Sequence, residues 1–249
     1  MIFFLSDFGV EDAYVGIVKA VIAGIAPGEP VVDLAHGLPP QDLRRAAYQL
    51  FEAGPYLPPG SVVLAVVDPG VGSERRAVVV EGERCRYVAP DNGLLSLAFE
   101  HDPPQRAFAL EEAAYRLPSP RRTFHGRDVF GPAAAHLARG VAPEAFGPDV
   151  PRDALVHLPV ALVDGERGEV LTFDRFGNAI TTVREPAGAW SGVEVAGRRV
   201  PAVTHYAAVP PGEPLALVGS AGLVEVSLRE GSARDGLGLT EGTPVQVVR

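Results

Sequence analysis

Cysteine is almost absent from this 249-residue chain: Cys85 is the only one. That excludes an intrachain disulfide and argues against a cysteine-ligated zinc site. Lysine is equally scarce, with Lys19 alone, so nearly all positive charge is arginine, a side chain suited to planar carboxylate and anion contacts. Basic charge as a whole is in deficit, with 22 Lys and Arg against 31 Asp and Glu and a net charge of −9. A nucleic-acid surface needs clustered basic charge, so that class of partner is excluded. Long apolar runs are missing as well. The opening I-F-F-L has no basic start and is broken by Ser6 and Asp7, so neither a signal peptide nor a membrane span is expected. A cytoplasmic enzyme or binding protein is the default.

What is present is a soluble core composition, 47% hydrophobic and 21% charged. Up to about residue 157 the chain alternates strand and helix signals. The expected elements are strand 2–6, helix 12–25, strand 31–34, helix 41–53, strands 62–67, 77–81 and 87–89, and helices 93–99 and 128–139. This is the rhythm of an α/β domain with a parallel or mixed sheet and helices on both faces. Beyond residue 157 helical periodicity stops. Short β-like runs separated by Gly or Pro follow, as in a small barrel or sandwich. The expected domains are 1–157 and 158–249, linked around Pro159.

Three segments of the first domain carry the polar residues with chemical promise. The run S-V-V-L-A-V-V-D ends on Asp68, as a strand buried on both faces would, and Arg75 lies close enough to fold back on it. Ligands of open α/β sheets bind beyond such strand ends, although a turn-capping Asp beside a surface ion pair would read the same way. The first strand likewise ends on Asp7. A carboxylate there suits two vicinal hydroxyls of a ribose, or with Asp12 a hard cation, while Asp12 alone reads as a helix-start acid. His125, in T-F-H-G-R-D, could complete an acid–base–cation set with Asp68 and Arg75, or simply cap the following helix. His36 and His136 read as structural, and Asp91 in P-D-N-G as a turn residue. D-P-G-V-G-S lacks the lysine of a phosphate loop.

In the second domain, D-R-F-G-N sets Asp174, Phe176 and Asn178 within five positions. Phe can stack on a base and Asn can pair with adenine, but a Gly-containing hairpin turn uses the same residues. G-S-A-G-L-V-E-V puts Ser220 in a glycine-flanked loop and Glu225 in a strand, facing either solvent or an ammonium group.

Assembled in order, S-D-F-G-x-x-D-x-Y-V-G, V-V-D-P-G-V-G-x-x-R, P-D-N-G-L-L, T-F-H-G-R-D-x-F-x-P-A-A, D-R-F-G-N-x-x-T and S-x-G-L-x-E-V resemble the S-adenosylmethionine hydroxide adenosyltransferases, relatives of fluorinases and chlorinases. The resemblance spans essentially the whole chain. It implies an N-terminal α/β domain with a mostly parallel sheet, a C-terminal β-barrel, and a homotrimer with active sites between subunits. It also implies attack of water or hydroxide on C5′ of S-adenosylmethionine, giving adenosine and methionine, with no metal or cofactor. Asp68, Arg75 and His125 match its water-handling positions and Asp7 its ribose site. Phe176 and Asn178 match the adenine contacts, Tyr206 a residue closing over the base, and Asp174, Ser220 and Glu225 the surroundings of the methionine group. Asp68, Gly126 and the short link E-G-E-R-C-R, where halogenating relatives differ, favour the hydrolytic branch. A calcium-dependent nucleoside hydrolase and a non-catalytic S-adenosylmethionine-binding module are the alternative readings.

Overall fold

In the computed structural model, all 249 residues are described, and they form two compact units, Met1–Leu158 and Pro159–Arg249. The first is built on strands β1 (Ile2–Ser6), β2 (Val31–Ala35), β3 (Val62–Val66), β4 (Ala77–Gly82), β5 (Arg86–Pro90) and β6 (Pro104–Ala109). They lie in the order β2-β1-β3-β5-β4-β6. The pairs β1–β2, β1–β3 and β3–β5 are parallel, whereas β4 runs antiparallel to both neighbours.

Because successive side chains of a strand point to opposite faces, an uninterrupted apolar strand needs cover on both. Ile2 and Phe4 of β1 pack with Val18 and Ile22 of helix α1 (Tyr14–Ile25) and Ala134 and Leu137 of helix α3 (Gly131–Ala138). Phe3 and Leu5 face the other way, onto Ala46 and Leu50 of helix α2 (Leu43–Ala53). Phe4 and Phe130 are fully buried, each contributing about 1.5–3 kcal/mol by leaving water. With α1 and α2 on opposite faces, the strand order reverses between β1 and β3. Ser6 and Val66 sit side by side at that switch point, so the residues just beyond them, Asp7 and Asp68, emerge at the crevice where α/β sheets bind ligands.

Several expected elements shift. Helix α1 begins at Tyr14, leaving Asp12 exposed in the preceding turn and without a capping role. Asp42 caps α2, accepting from Arg45 N at 2.9 Å. The expected helix 93–99 does not form beyond a single tight turn at Ala98–Glu100. Gly93 sits at φ 93°, Asn92 Oδ1 accepts from Leu94 N and Ser96 Oγ donates to the Gly93 carbonyl, so side chains take the backbone groups a helix would use. The expected helix 128–139 narrows to α3, preceded by one π-helical turn, Gly126–Phe130. Strand β6 was hidden in the sequence by Pro103 and Pro104. It lies at the sheet edge, where proline is tolerated.

The second unit is an antiparallel sheet of β7 (Arg167–Phe173), β8 (Ala179–Arg184), β9 (Gly192–Val195), β10 (Arg198–Pro201), β11 (Pro214–Val218), β12 (Leu223–Leu228) and β13 (Pro244–Val248). The order is β10-β9-β13-β7-β8-β12-β11. A bridge between Ala202 and Ala216 brings the two edges together, so the sheet is a nearly closed barrel. Its interior is filled by valines at alternate positions, among them Val193 and Val195, Val224 and Val226, and Val245 and Val247. No helix of the protein is long and apolar enough to cross a membrane.

Candidate active site

Asp68 follows β3, and the turn after it is tight enough to return Arg75 to the carboxylate. Val71 N donates to the Asp68 carbonyl at 3.2 Å, and Ser73 N and Ser73 Oγ both donate to the Gly70 carbonyl. Arg75 Nε donates to both Asp68 oxygens at 2.9 and 3.0 Å, and Nη2 donates to Oδ2. The same Nη2 lies 2.7 Å from Nδ1 of His125. Beneath them the ring of Phe130 faces the guanidinium at 5.1 Å, a cation–π contact in a desolvated setting. The three side chains of the expected set are therefore joined through one arginine.

That contact assigns the imidazole tautomer. A guanidinium can only donate, so Nδ1 of His125 must offer its lone pair and the ring proton sits on Nε2. Burial, and after it the charge of Arg75, holds the His125 imidazolium below its ordinary pKa, against the opposing pull of Asp68. His125 is thereby kept neutral. It caps nothing with its side chain, contrary to the capping alternative. Arg75 and His125 line a cleft of about 250 Å³ together with Glu74 and Arg116.

Next to His125, Gly126 has no room for a side chain. A β-carbon there would lie 2.7 Å from the Phe8 ring and 3.4 Å from Phe124. Phe8, Phe124 and Tyr14 form an edge-on aromatic cluster, with ring centroids 5.2–6.2 Å apart. Phe8 belongs to the same turn as Asp7, whose Oδ2 accepts from Gln41 N at 2.8 Å. Gly9, at φ 74°, closes that turn in a conformation only glycine adopts freely. Asp7 and Asp12 gain no third acid: no group of three or more His, Cys, Asp or Glu side chains converges as a metal site would require.

In the barrel, Asp174 organises the 174–178 turn. Its Oδ1 accepts from Phe176 N at 2.8 Å and Asn178 N at 2.9 Å, and its Oδ2 from Asn178 Nδ2 at 2.8 Å. A carboxylate only accepts, so the Asn178 nitrogen faces it and the amide oxygen is turned away. Phe176, at 76% exposure, and Tyr206, at 46%, line a cleft of about 470 Å³ together with Asn178, Leu228 and Arg229. Glu225 is only 5% exposed and does not face solvent. It accepts from Tyr206 Oη at 2.7 Å and Ser227 Oγ at 2.6 Å, and burial together with that carboxylate pushes the Tyr206 hydroxyl well up. Ser220 stands exposed in the turn between β11 and β12, where a β-carbon on Gly219 would lie 3.1 Å from Glu225 Oε2. A larger cleft of about 660 Å³ on the barrel, lined by Arg167, Glu194, Arg198 and Arg199, contains none of the expected residues.

Several participants were not singled out from the sequence. Arg76, adjacent to Arg75, points the other way and pairs with Asp91 at 2.6 Å, while Asp91 Oδ1 accepts from Val156 N. Asp91 is thus an ion-pair anchor as well as a turn residue. Asn92 donates to the Val67 carbonyl at 2.9 Å, bracing the strand end that carries Asp68. The arginine doublet in a strand-entering segment, with alternate faces, was the one signal that two separate pairs were present.

Comparison with known proteins identifies the family of the chain. Residues 2–147 match the model of the SAM hydroxide adenosyltransferase N-terminal domain, and residues 168–246 that of its C-terminal domain. The chain is 62% identical to a Thermus thermophilus protein named (R)-S-adenosyl-L-methionine hydrolase, over 99% of each. It is 27% identical to a fluorinase of Actinopolyspora mzabensis, over 100% of this chain and 97% of that protein. A crystal structure of a conserved hypothetical protein from Thermus thermophilus superposes with a TM-score of 0.88 at 61% identity, over 99% of each chain. With both domain models matched in order and a full-length relative at this identity, the chain belongs to the SAM hydroxide adenosyltransferase family.

Proposed function

We propose that this protein hydrolyses S-adenosyl-L-methionine to adenosine and L-methionine, the oxygen of a water attacking C5′ as the C5′–S bond breaks. The observation that carries this reading is the contact of Arg75 with both Asp68 and His125 at the switch point of the sheet. The sulfonium leaves as a neutral thioether and needs no acid. What the reaction needs is an in-line nucleophile in a site that excludes bulk water. Water loses one proton in the process, and Asp68 is the group we assign to receive it. His125 has its Nδ1 lone pair engaged by Arg75 and offers only the Nε2 proton, so it orients the water as a donor instead of acting as base. Arg75 holds Asp68 and His125 in register and stabilises the developing hydroxide.

On the substrate side we assign the ribose hydroxyls to Asp7, the adenine to Phe176 and Asn178 with Tyr206 closing over it, and the methionine group to Ser220 and Glu225. Asp174 orients Asn178 through one backbone and one side-chain bond and holds Phe176 N by a second backbone bond, which leaves one Oδ2 lone pair for the ligand. The Thermus relative is named for the (R) form. Since L- already describes the α-carbon, (R) describes the sulfonium, and we extend that preference to this chain. A cytoplasmic homotrimer, with active sites completed by neighbouring subunits, is the assembly we propose, and light scattering on the purified protein tests it.

The deciding experiment is incubation with each sulfonium epimer, with and without EDTA, followed by chromatography. Adenosine and methionine in equal amounts, faster from the (R) form and indifferent to chelation, are expected. Activity abolished by EDTA would favour the calcium-dependent alternative, and intact ligand after long incubation a binding module.

A further inference from the structure

The function above uses neither Ser6 nor His36, yet the two are in contact beneath Asp7. Ser6, the last residue of β1, is fully buried, and its Oγ lies 2.7 Å from Nδ1 of the buried His36. Nε2 of His36 lies 3.0 Å from Asp33 Oδ1, and Asp33 Oδ2 lies 2.6 Å from Nζ of Lys19, the only lysine. Serine, histidine and aspartate in line suggest a hydrolytic triad. With Ser6 wholly out of solvent, no substrate reaches its oxygen, and that role fails. The polarity of the chain follows from its ends. The Asp33 carboxylate only accepts, so Nε2 of His36 carries the ring proton, and Nδ1 of the neutral ring accepts a hydrogen bond from the Ser6 hydroxyl.

The same loop is bonded to the Asp7 turn at further points. Gly9 N donates to the His36 carbonyl at 2.8 Å and Gln41 N, at φ 65°, donates to Asp7 Oδ2 at 2.8 Å, while within the turn itself Phe8 N approaches Ser6 Oγ at 3.4 Å. The edge of the imidazole packs on Phe4, with centroids 4.6 Å apart. Asp7 is thus the centre of a four-residue turn clamped before, after and at its carboxylate by the 36–41 segment.

We propose that His36 is a positioning residue for substrate binding: through Ser6 and the Ser6–Gly9 turn it aims the Asp7 carboxylate at the two vicinal hydroxyls of the ribose. This rests on the reading of Asp7 given above. Bidentate acceptance from a diol needs both carboxylate oxygens in one plane with the ligand, and a single backbone tether at Oδ2 leaves that plane to be set by the turn. The influence declines outward along the chain, because Asp33 and Lys19 are solvent-exposed partners whose pairing is screened.

The test is steady-state kinetics of His36→Ala, His36→Asn, Ser6→Ala and Asp7→Ala, each with S-adenosyl-L-methionine and with its 2′-deoxy analogue. With the natural substrate, His36→Ala and Ser6→Ala are expected to raise KM about tenfold, the equivalent of one hydrogen bond, with kcat little changed. His36→Asn, which keeps a polar atom near the Nδ1 position, recovers most of the loss. With the 2′-deoxy analogue the His36→Ala penalty shrinks, as that of Asp7→Ala does, since the hydroxyl being aimed at is gone. An equal penalty on both substrates, or a loss confined to kcat, overturns the inference, because a general structural role predicts either. If His36→Ala does not fold, Ser6→Ala, which removes one buried oxygen, carries the same test. An Asp7→Ala enzyme with unchanged KM would overturn the ribose assignment itself. A sensitive Asp7→Ala beside an indifferent His36→Ala would overturn this inference alone.

Discussion

The α/β unit and the barrel hold their functional side chains in opposite ways. In the α/β unit, Asp68, Arg75 and His125 satisfy one another: the arginine spends its donors on a carboxylate and an imidazole, and a phenyl ring seals its back. In the barrel, the two aromatic rings of the candidate site are exposed, Phe176 at 76%, beside a turn whose Phe176 and Asn178 N–H groups are both held by Asp174. A nucleophile-handling group must be oriented before substrate arrives, since reorganisation during the reaction costs rate. A stacking platform must present an uncovered face that only the ligand covers. Glu225 combines the two conditions, being buried and held by Tyr206 and Ser227 while its second oxygen faces the 219–222 turn.

The sharpest way to break this comparison is to remove one member of the preassembled set. Asp68→Asn and His125→Ala should each lower kcat by about 10²–10⁴-fold while KM moves little. Rapid-quench measurement of single turnovers, with binding followed separately by calorimetry, checks this. Full activity in both variants would refute the assignment of the set. The open platform should answer in the opposite sense. Phe176→Ala and Asn178→Ala should raise KM by about 5- to 150-fold, the range of one stacking interaction, and leave saturated turnover nearly intact. A kcat loss equal to that of Asp68→Asn would erase the distinction between the two regions.

A smaller effect concerns the wedge between the Asp7 turn and His125. A β-carbon at Gly126 would meet the Phe8 ring at 2.7 Å, so Gly126→Ala must push Phe8 aside and disturb both turns at once. Phe8→Leu vacates part of that volume. The double variant should therefore be less impaired than the sum of the singles, with a coupling of about 0.5–3 kcal/mol in kcat/KM. Additive effects would mean that the aromatic cluster merely fills space.

How much of this could be read from the sequence follows from the distances over which the chain makes its contacts. The apolar run ending on Asp68, the Gly turn and Arg75 are local, so strand, strand end and ion pair were all legible. The valine-rich short strands likewise announced a barrel, and D-R-F-G-N announced its turn. His125 lies 50 residues from Arg75, and its tautomer depends on a contact no periodicity encodes. Ser6 and His36, 30 residues apart, were invisible for the same reason, and His36 read simply as structural. The failed helix at 93–99 has a different cause: L-L-S-L-A-F has the apolar content of a helix, but the Gly93 conformation and two side-chain-to-backbone bonds win locally.

The smallest expected effect is on pH dependence, and it separates the two regions once more, since only the α/β set has a histidine among its candidate residues. His125 accepts from Arg75 only while Nδ1 is unprotonated, and burial and the Arg75 charge lower its pKa. Turnover should therefore persist on the acid side below the ordinary imidazole range near 6.5, and fall as pH drops through the lowered value. Stability follows the same sign. The unfolded chain takes up the proton first, so the contribution of neutral His125 is complete above the unfolded pKa and is lost as pH falls from there toward the folded one. Arg116 also depresses this pKa by its charge, so Arg116→Gln should move the acid limb of the rate profile upward. Thermal melts of the wild type and His125→Gln between about pH 5 and pH 8 should converge at the acid end. If the acid limb of the wild type instead lies above the free imidazole value, an unprotonated His125 of raised pKa is the group the reaction requires, and the base role passes from Asp68 to His125.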